Sequence, residues 1–463
     1  MGHNTELLPS VLDVPPSPTK PPRVAVLADS DTRWKWGALT ANRIAAGPSV
    51  PSMETAPAEG ARTAPVLDGF LLRGRATPTP RQLAEVGVRA DSLREVTAVE
   101  FLRTMACEPY DVLVLALVGG GVQAMLHGLK RVWEDRPKRP VVVTGYVGVV
   151  YEKLADGLLL RHGADLVLAN SRQDAERFRA VYDGVGADSS AVTEVALPFL
   201  GGAPYTGEHD PYTVVFAAQP SVPDSRKDRT YLLERLVRHA RLHPEREVLL
   251  KLRSKPGEHT THIEELPYQK LAQKLDLPPN FRLVYGNMGE VLDRTDLLVT
   301  VSSTAALESL HRRIPTVVLT DLGIREVLGN HHFVGSGCLA SWDQLDAGHR
   351  PAPDPEWVAR QGVAADGEYA TAFDAARDRI AELLASDALP PLTPYYTPAT
   401  APGYLPGILA RHHLGPDGTP LPGAPAHDRE PGPVRQIVRR AARGAYRHGV
   451  QRVAPVIRRM GEL

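Results

Sequence analysis

The residues best suited to chemistry follow short apolar runs. The run that starts at Asp296 ends in Ser302, Ser303 and Thr304, with no acid until Glu308. If a helix opens there, its first-turn N–H groups, its dipole and the hydroxyls favour an anion. The same three residues also read as a plain serine cap. Glu308 could accept hydrogen bonds from ribose hydroxyls, or be a structural carboxylate. In the same half, Lys251, Arg253 and Lys255 alternate along an extended segment ahead of Pro256-Gly257. Such cations suit a phosphate ester or diphosphate, or a solvated basic loop. Gln219 with Arg226 and Lys227, and Gly286-Asn287-Met288, belong to two further loops of this kind. The convergence of four loops rich in Ser, Arg, Lys and Gly says more than any one of them.

The first half offers a different set. Asp29 through Gly37 contains Asp29, Asp31, Arg33, Trp34, Lys35 and Trp36 in nine positions. Asp29 or Asp31 could act as a general base, and the tryptophan faces could support a sugar ring. The other reading is an N-capping Asp beside packed aromatics. Gly119 and Gly120 open a Gly-Gly-Gly run, and Gly145-Tyr146 follows another apolar run; both would let a ligand approach the backbone. Neither has P-loop or GxGxxG spacing. No HExxH or comparable His/Cys pattern and no GxSxG elbow is present. The expectation is therefore no metal and no cofactor.

These residues need elements to position them. β-rich runs lie at 24–28, 66–72, 111–118, 140–144, 166–169 and 192–196, with helical patterns between. The scheme repeats at 213–217, 248–252, 282–285, 297–301 and 316–319. Alternating β and α predicts parallel sheets with helices on both faces. The expected class is α/β, with two Rossmann-like domains facing across a cleft. The expected divisions are a disordered leader (1–22), an N-terminal domain (23–200), a linker (201–211), a C-terminal domain (212–345) and helices (346–388). A Pro-rich irregular tail (389–433) and a basic amphipathic helix (434–463) complete the chain. Residues 165–171 and 296–302 echo one another: an Asp, a buried strand, then a serine that opens a helix.

Composition narrows the classes. The chain has 463 residues, enough for two or three domains. Apolar residues at 43% exclude disorder of the whole chain. Lys plus Arg number 53 against 54 Asp plus Glu, which disfavours a nucleic-acid partner. Two cysteines, Cys107 and Cys338, make no disulfide framework. No stretch is apolar for the roughly 18 residues that a membrane span needs. The expected location is the cytoplasm.

Taken together, the pattern resembles a GT-B glycosyltransferase over most of residues 23–386. The segment from Met288 to Val318, with Ser302-Ser303-Thr304, Glu308 and Ile314-Pro315, carries most of the likeness. The segment Lys251 to Pro256 resembles a basic strand end of bacterial capsule, sialyl- and polyol-phosphate transferases. Those relatives often have His-Pro where this chain has Lys255-Pro256. The chain is also similar to an uncharacterised family of glycosyltransferase-like proteins from high-GC bacteria. The resemblance implies an N-terminal acceptor domain, a C-terminal domain for a nucleotide-activated sugar as co-substrate, and no essential metal. Cell-envelope or metabolite acceptors are the expectation. A polyol-phosphate or phosphosugar transferase, a nucleotide-sugar 2-epimerase and a non-catalytic nucleotide- or sugar-binding protein are the alternatives.

Residues 429–463 carry nine arginines against Glu430 and Glu462. Arg435, Arg439, Arg443 and Arg447 recur every four residues beside an apolar face. Such a helix can lie on an anionic membrane, which would make the protein peripheral to the inner face; it can also dock on its own protein. Deleting residues 429–463 is expected to release the protein from anionic vesicles in a sedimentation assay. Equal binding by the truncated form dismisses the anchor.

Overall fold

The computed structural model describes residues 21–45, 65–74, 76–136, 138–149, 153–255, 258, 264, 266–364 and 368–424. Residues 1–20 of the expected leader (1–22), Pro256, Gly257 and the basic segment 434–463 lie outside them. The N-terminal half runs β1 (Arg23–Ala28), α1 (Asp31–Ile44), β2 (Val66–Leu72), α2 (Pro80–Val86), β3 (Ser92–Val96) and α3 (Ala98–Cys107). It continues through β4 (Val112–Ala116), α4 (Gly119–Val132), β5 (Val141–Gly145), α5 (Leu154–Leu159), β6 (Leu166–Ala169), α6 (Arg172–Gly184) and β7 (Val192–Glu194). The C-terminal half runs β8 (Thr213–Ala217), α7 (Arg226–Leu242), β9 (Glu247–Lys251), α8 (Tyr268–Ala272), β10 (Phe281–Val284) and α9 (Met288–Leu292). It continues through β11 (Leu297–Thr300), α10 (Ala305–His311), β12 (Thr316–Leu319), β13 (Leu339–Ala340) and α11 (Trp342–Asp346). Four helices close the described chain: α12 (Pro355–Arg360), α13 (Glu368–Thr371), α14 (Asp374–Ala385) and α15 (Leu405–Ala410).

Every strand pair in both sheets is parallel. The strand orders are β3-β2-β1-β4-β5-β6-β7 and β10-β9-β8-β11-β12-β13. Each is the doubly wound order, reversing direction between β1 and β4 and between β8 and β11. The central strands read VAVLA, VLVLA, TVVFA and LLVT and are buried throughout, as sheets covered on both faces require. The predicted α/β class with two Rossmann-like domains is what the structure has. The reading missed β3, a polar edge strand, and β13, only two residues long.

One local device recurs. An Asp just before a strand accepts a hydrogen bond from the first or second N–H of the neighbouring strand. Asp111 holds the Arg23 N–H (2.8 Å), Asp91 that of Leu67 (2.7 Å), Asp165 that of Val142 (2.7 Å) and Asp296 that of Thr213 (2.7 Å). Unpaired amides at a sheet's amino edge are thereby satisfied. This explains the Asp in the sequence echo. The echo itself joins inequivalent strands: β11 is the fourth strand of its sheet and β6 the sixth of the other.

The linker (201–211) is docked. The Tyr205 N–H bonds the Arg312 carbonyl (2.7 Å), and Asp296, fully buried, also accepts from the His209 N–H (2.8 Å). After the C-terminal sheet the chain returns. α14 lays Phe373, Ala376 and Ile380 into the core that holds α1 and one face of the first sheet.

The tail overturns the expectation of an irregular segment. Its described part (389–424) packs on the N-terminal domain and places Leu392, Leu405, Ile408, Leu409 and Leu414 in that domain's core. Arg139, buried, pairs bidentately with Asp165 (2.7 and 2.8 Å) and donates to the Pro390 carbonyl. The many prolines break periodicity without preventing burial, so the tail folds by tertiary contact alone. The N-terminal domain is thus 23–200 plus the returning segment. Leu409→Ala is expected to cost about 2–4 kcal/mol in urea denaturation. A cost near zero would show that the tail is not part of the core.

Candidate functional site

Parallel strands send all their carboxyl ends to one edge, and ligands of such sheets bind where the strand order reverses. In this protein the two reversal points face each other across one cleft of about 1150 Å³. The first sheet contributes the loops after β1 and β4; the second contributes those after β8 and β11.

The C-terminal wall contains most of the predicted donor-side residues. Gln219, Lys251, Arg253, Gly286, Asn287, Met288, Ser302, Ser303, Thr304 and Glu308 all line the cleft. Gly286 has φ +99°, a left-handed conformation that glycine adopts without strain. The Asn287 side-chain oxygen caps the Gly289 N–H (2.8 Å), and its amide donates across the cleft to the Glu85 carbonyl (3.2 Å). Lys251 is buried, donates to the Leu252 carbonyl (2.9 Å), and burial lowers its pKa to about 8. Glu308 is buried too, and burial raises its pKa; Lys35 from α1 lies 3.8 Å away. Lys35 also sits over the Phe199 ring at 4.8 Å.

Three donor-side expectations need correction. Arg226 and Lys227 are exposed and do not line the cleft. The inward face of α7 belongs to Arg229, Leu232, Leu233 and Leu236, so the first two residues of the helix face solvent. Lys255 is exposed as well, outside the cleft. β9 ends at Lys251, so the alternation that would align three cations stops there. Ser302 lines the site, but its hydroxyl is engaged with the Leu328 carbonyl (2.5 Å), and its N–H donates to the Gln219 side chain (3.1 Å). It ties loops together; Ser303 and Thr304 carry the exposed part of the turn.

The N-terminal wall differs more from expectation. The segment that starts at Asp31 is not a loop: α1 begins there, capped by Ser30. Trp34 and Trp36 face inward and are 1% and 0% exposed, so neither can hold a sugar. Gly69 and Gly145 make room for them; a Cβ on Gly69 would lie 2.6 Å from the Trp34 ring and one on Gly145 2.9 Å from the Trp36 ring. Gly145 is therefore a packing glycine outside the cleft lining. Gly119 lines the cleft, while Gly120 lies against Ile408 of the tail. The glycines form the first turn of α4 rather than a loose phosphate loop.

Of the two candidate bases, Asp29 has both oxygens committed. It accepts from Arg33 (2.8 Å) and from the Val118 N–H (3.1 Å), and it does not line the cleft. Asp31 and Arg33 do line it. Asp31 accepts a hydrogen bond from Arg253 of the opposite wall (2.8 Å), which also meets Thr32. The two walls are thus joined by Arg253–Asp31, Lys35–Glu308 and Arg81–Glu258. Thr304 approaches Gly148 so closely that a Cβ there would sit 2.9 Å from its hydroxyl.

Sequence reasoning missed two residues. Arg229, buried, donates to the carbonyls of Gln219, Pro220 and Pro223 (3.2 Å each) and pairs with Glu264 (2.5 Å), shaping the loop after β8. Arg161 lines the first wall, 5% exposed, with its guanidinium 3.9 Å from the centre of the Tyr146 ring. No spacing announces either. Away from the cleft, His239, His243 and Asp346 bring ligand-type atoms within 4.8 Å of one another at the far end of α7. His239 and His243 are four apart, one helical turn, a signal passed over. Asp346 is already shared between His239 (2.7 Å) and Arg235 (3.2 Å).

A family model matches residues 24–383, which takes in both sheets and the cleft; its description is "Putative glycosyltransferase (DUF6716)". The chain belongs to this family. The docked tail (389–424) lies beyond the matched span. No curated protein matches the sequence. Solved structures similar to the chain include the glycotransferase of kitacinnamycin, 15% identical, covering 79% of this chain and 96% of that one, TM-score 0.40. Another is UDP-GlcNAc 2-epimerase from Neisseria meningitidis bound to UDP-GlcNAc, 11% identical, covering 78% and 99%, TM-score 0.42. Spinosyn rhamnosyltransferase is 14% identical, covering 78% and 96%, TM-score 0.39. Among the described residues no helix of this family member is long and apolar enough to cross a membrane.

The tryptophans discriminate core from site. Trp36→Ala is expected to cost about 3–5 kcal/mol in chemical denaturation. A variant of unchanged stability that loses ligand binding would return Trp36 to the site.

Proposed function

We propose that the protein transfers a sugar from a nucleotide-activated donor to an acceptor hydroxyl. The observation that carries this reading is the meeting of two strand-order reversal points on one cleft, with cations on the C-terminal wall. Family membership agrees with it. The donor nucleotide lies along Gln219, Gly286, Asn287 and Met288, and Glu308 faces its ribose. Its phosphates lie against Ser303, Thr304, Lys251 and Arg253. As the bond between the anomeric carbon and the phosphate oxygen breaks, charge grows on the leaving diphosphate. Lys251, Arg253 and the hydroxyls of Ser303 and Thr304 stabilise that charge. The acceptor oxygen forms the new bond to the anomeric carbon, and its proton passes to Asp31.

Arg253 links the two events. While it bonds Asp31, one oxygen of that carboxylate is occupied. A donor phosphate that draws Arg253 away frees Asp31 for the acceptor. This reading gives no role to a metal; the nucleotide-sugar is a co-substrate. It places the enzyme in the cytoplasm, acting on a cell-envelope or metabolite acceptor.

The test is thermal-shift binding of UDP, GDP, CDP, CMP, ADP and dTDP without added metal. One nucleotide is expected to stabilise selectively, and Lys251→Ala with Ser303→Ala to weaken it about tenfold or more. Lys251 is protonated below its folded pKa of about 8 and neutral above it, so affinity should fall as pH rises through 8. Stabilisation by none of the six, or affinity indifferent to both substitutions, overturns the donor site. Conversion of donor without any acceptor would instead mark a 2-epimerase.

A further inference from the structure

The glycosyl-transfer reading leaves one buried cation on the N-terminal wall without an opposite charge. Arg161 is 5% exposed and stands at the carboxyl ends of β4 and β5. Its Nε donates to the Gly145 carbonyl (3.0 Å), Nη1 to that of Gly157 (2.7 Å) and Nη2 to that of Leu117 (3.3 Å). These three bonds leave two of the five guanidinium N–H groups. Among the described residues no carboxylate pairs with it. A buried charge held by three carbonyl dipoles and the face of the Tyr146 ring (3.9 Å), with no carboxylate, is costly, and burial lowers the pKa of Arg161. A second feature meets it there. α4 is 14 residues long and has no side-chain cap. Its first residues are Gly119, which lines the cleft, Gly120 and the buried Gly121, and among the described residues no acceptor pairs with their amides. A Cβ on Gly119 would stand 3.4 Å from Arg161 Nη1, so guanidinium and helix start are adjacent.

Nearby acids are already engaged. Asp29 is held by Arg33 (2.8 Å) and the Val118 N–H (3.1 Å). Asp156 accepts from the hydroxyls of Tyr396 (3.1 Å) and Tyr404 (3.0 Å). Lys153 adds a further cation to the same wall.

We infer that this wall binds an anionic oxygen group of the acceptor, a carboxylate or a phosphate, between Arg161 and the first turn of α4. The inference rests on the acceptor lying on the N-terminal side, but the anion site can be tested without an acceptor. It narrows the acceptor to an acid or phosphorylated compound, with its reacting hydroxyl toward Asp31.

Gly120→Asp is the sharpest variant. A Cβ there would meet only Ile408 of the tail, at 3.7 Å, an ordinary van der Waals contact. A carboxylate in a helix's first turn is favourable to the helix but repels a bound anion. The probes are inorganic phosphate and acetate, each titrated by thermal shift at ionic strength held constant with chloride. A background of Lys251→Ala with Ser303→Ala weakens phosphate binding on the donor side. The expected result is a phosphate-induced rise in Tm in that background, weakened at least tenfold in affinity by Gly120→Asp and similarly by Arg161→Lys. The Tm of Gly120→Asp in chloride alone should be no lower than that of its parent. A response to acetate equal to that to phosphate points to a carboxylate acceptor; phosphate alone points to a phosphorylated one. A folded Gly120→Asp protein with the parent's full anion response overturns the site, as does a parent without any response. If no nucleotide stabilises the wild type but the Gly120-sensitive shift persists, the donor reading fails and the anion site stands.

Discussion

Strand polarity is the constraint from which the rest of this molecule follows. A parallel sheet buried on both faces must be wound by crossover helices, and every strand then delivers its carboxyl end to the same edge. At the point where the order reverses, two adjacent loops diverge and leave a crevice. This chain builds that crevice twice, between β1 and β4 and between β8 and β11, and turns the two toward each other. Neither crevice needs a special sequence to exist. The recurrent Asp brackets at the opposite edges satisfy the amides of Arg23, Leu67, Val142 and Thr213 there.

Electrostatics across the cleft are paired rather than one-signed. Asp31 meets Arg253, and Lys35 meets Glu308, each a contact between walls. Such pairs hold the walls in register while keeping the catalytic candidates mutually neutralised. A ligand carrying its own phosphates competes directly for Arg253 and Lys251. In the proposed reaction, donor binding and release of Asp31 would then be one event. Arg161 is the exception, a cation held by three carbonyls and the Tyr146 ring, with no carboxylate partner among the described residues.

The N-terminal domain is completed by the chain's last described segment. α14 covers one face of its sheet, and residues 389–424 cover α4 and α5 on the other. The tail also reaches the site, because Ile408 lies against Gly120 and the Tyr396 and Tyr404 hydroxyls hold Asp156 at the cleft wall. The geometry of this cleft wall thus depends on residues beyond the span that the family model matches.

Much of this was legible in the sequence. Period and composition determined the strands at 66–72, 166–169, 213–217 and 316–319 to the residue, and hence two parallel sheets. The Ser303-Thr304 turn, Lys251, Arg253 and Gly286 could be placed at strand ends, because strand ends are local. What residue types could not decide was which way a side chain faces once a helix replaces an assumed loop. That turned Trp34 and Trp36 into core, sent Arg226 and Lys227 to solvent, and bound Asp29 to α4. Nor could local pattern show that a proline-rich tail would bury leucines, since its burial depends on partners 250 residues away. Arg161 and Arg229 were invisible for the same reason. Sequence sets the local period and the chemistry each residue can perform; burial and ion pairing are properties of the neighbours, and those are assigned only when the chain closes on itself.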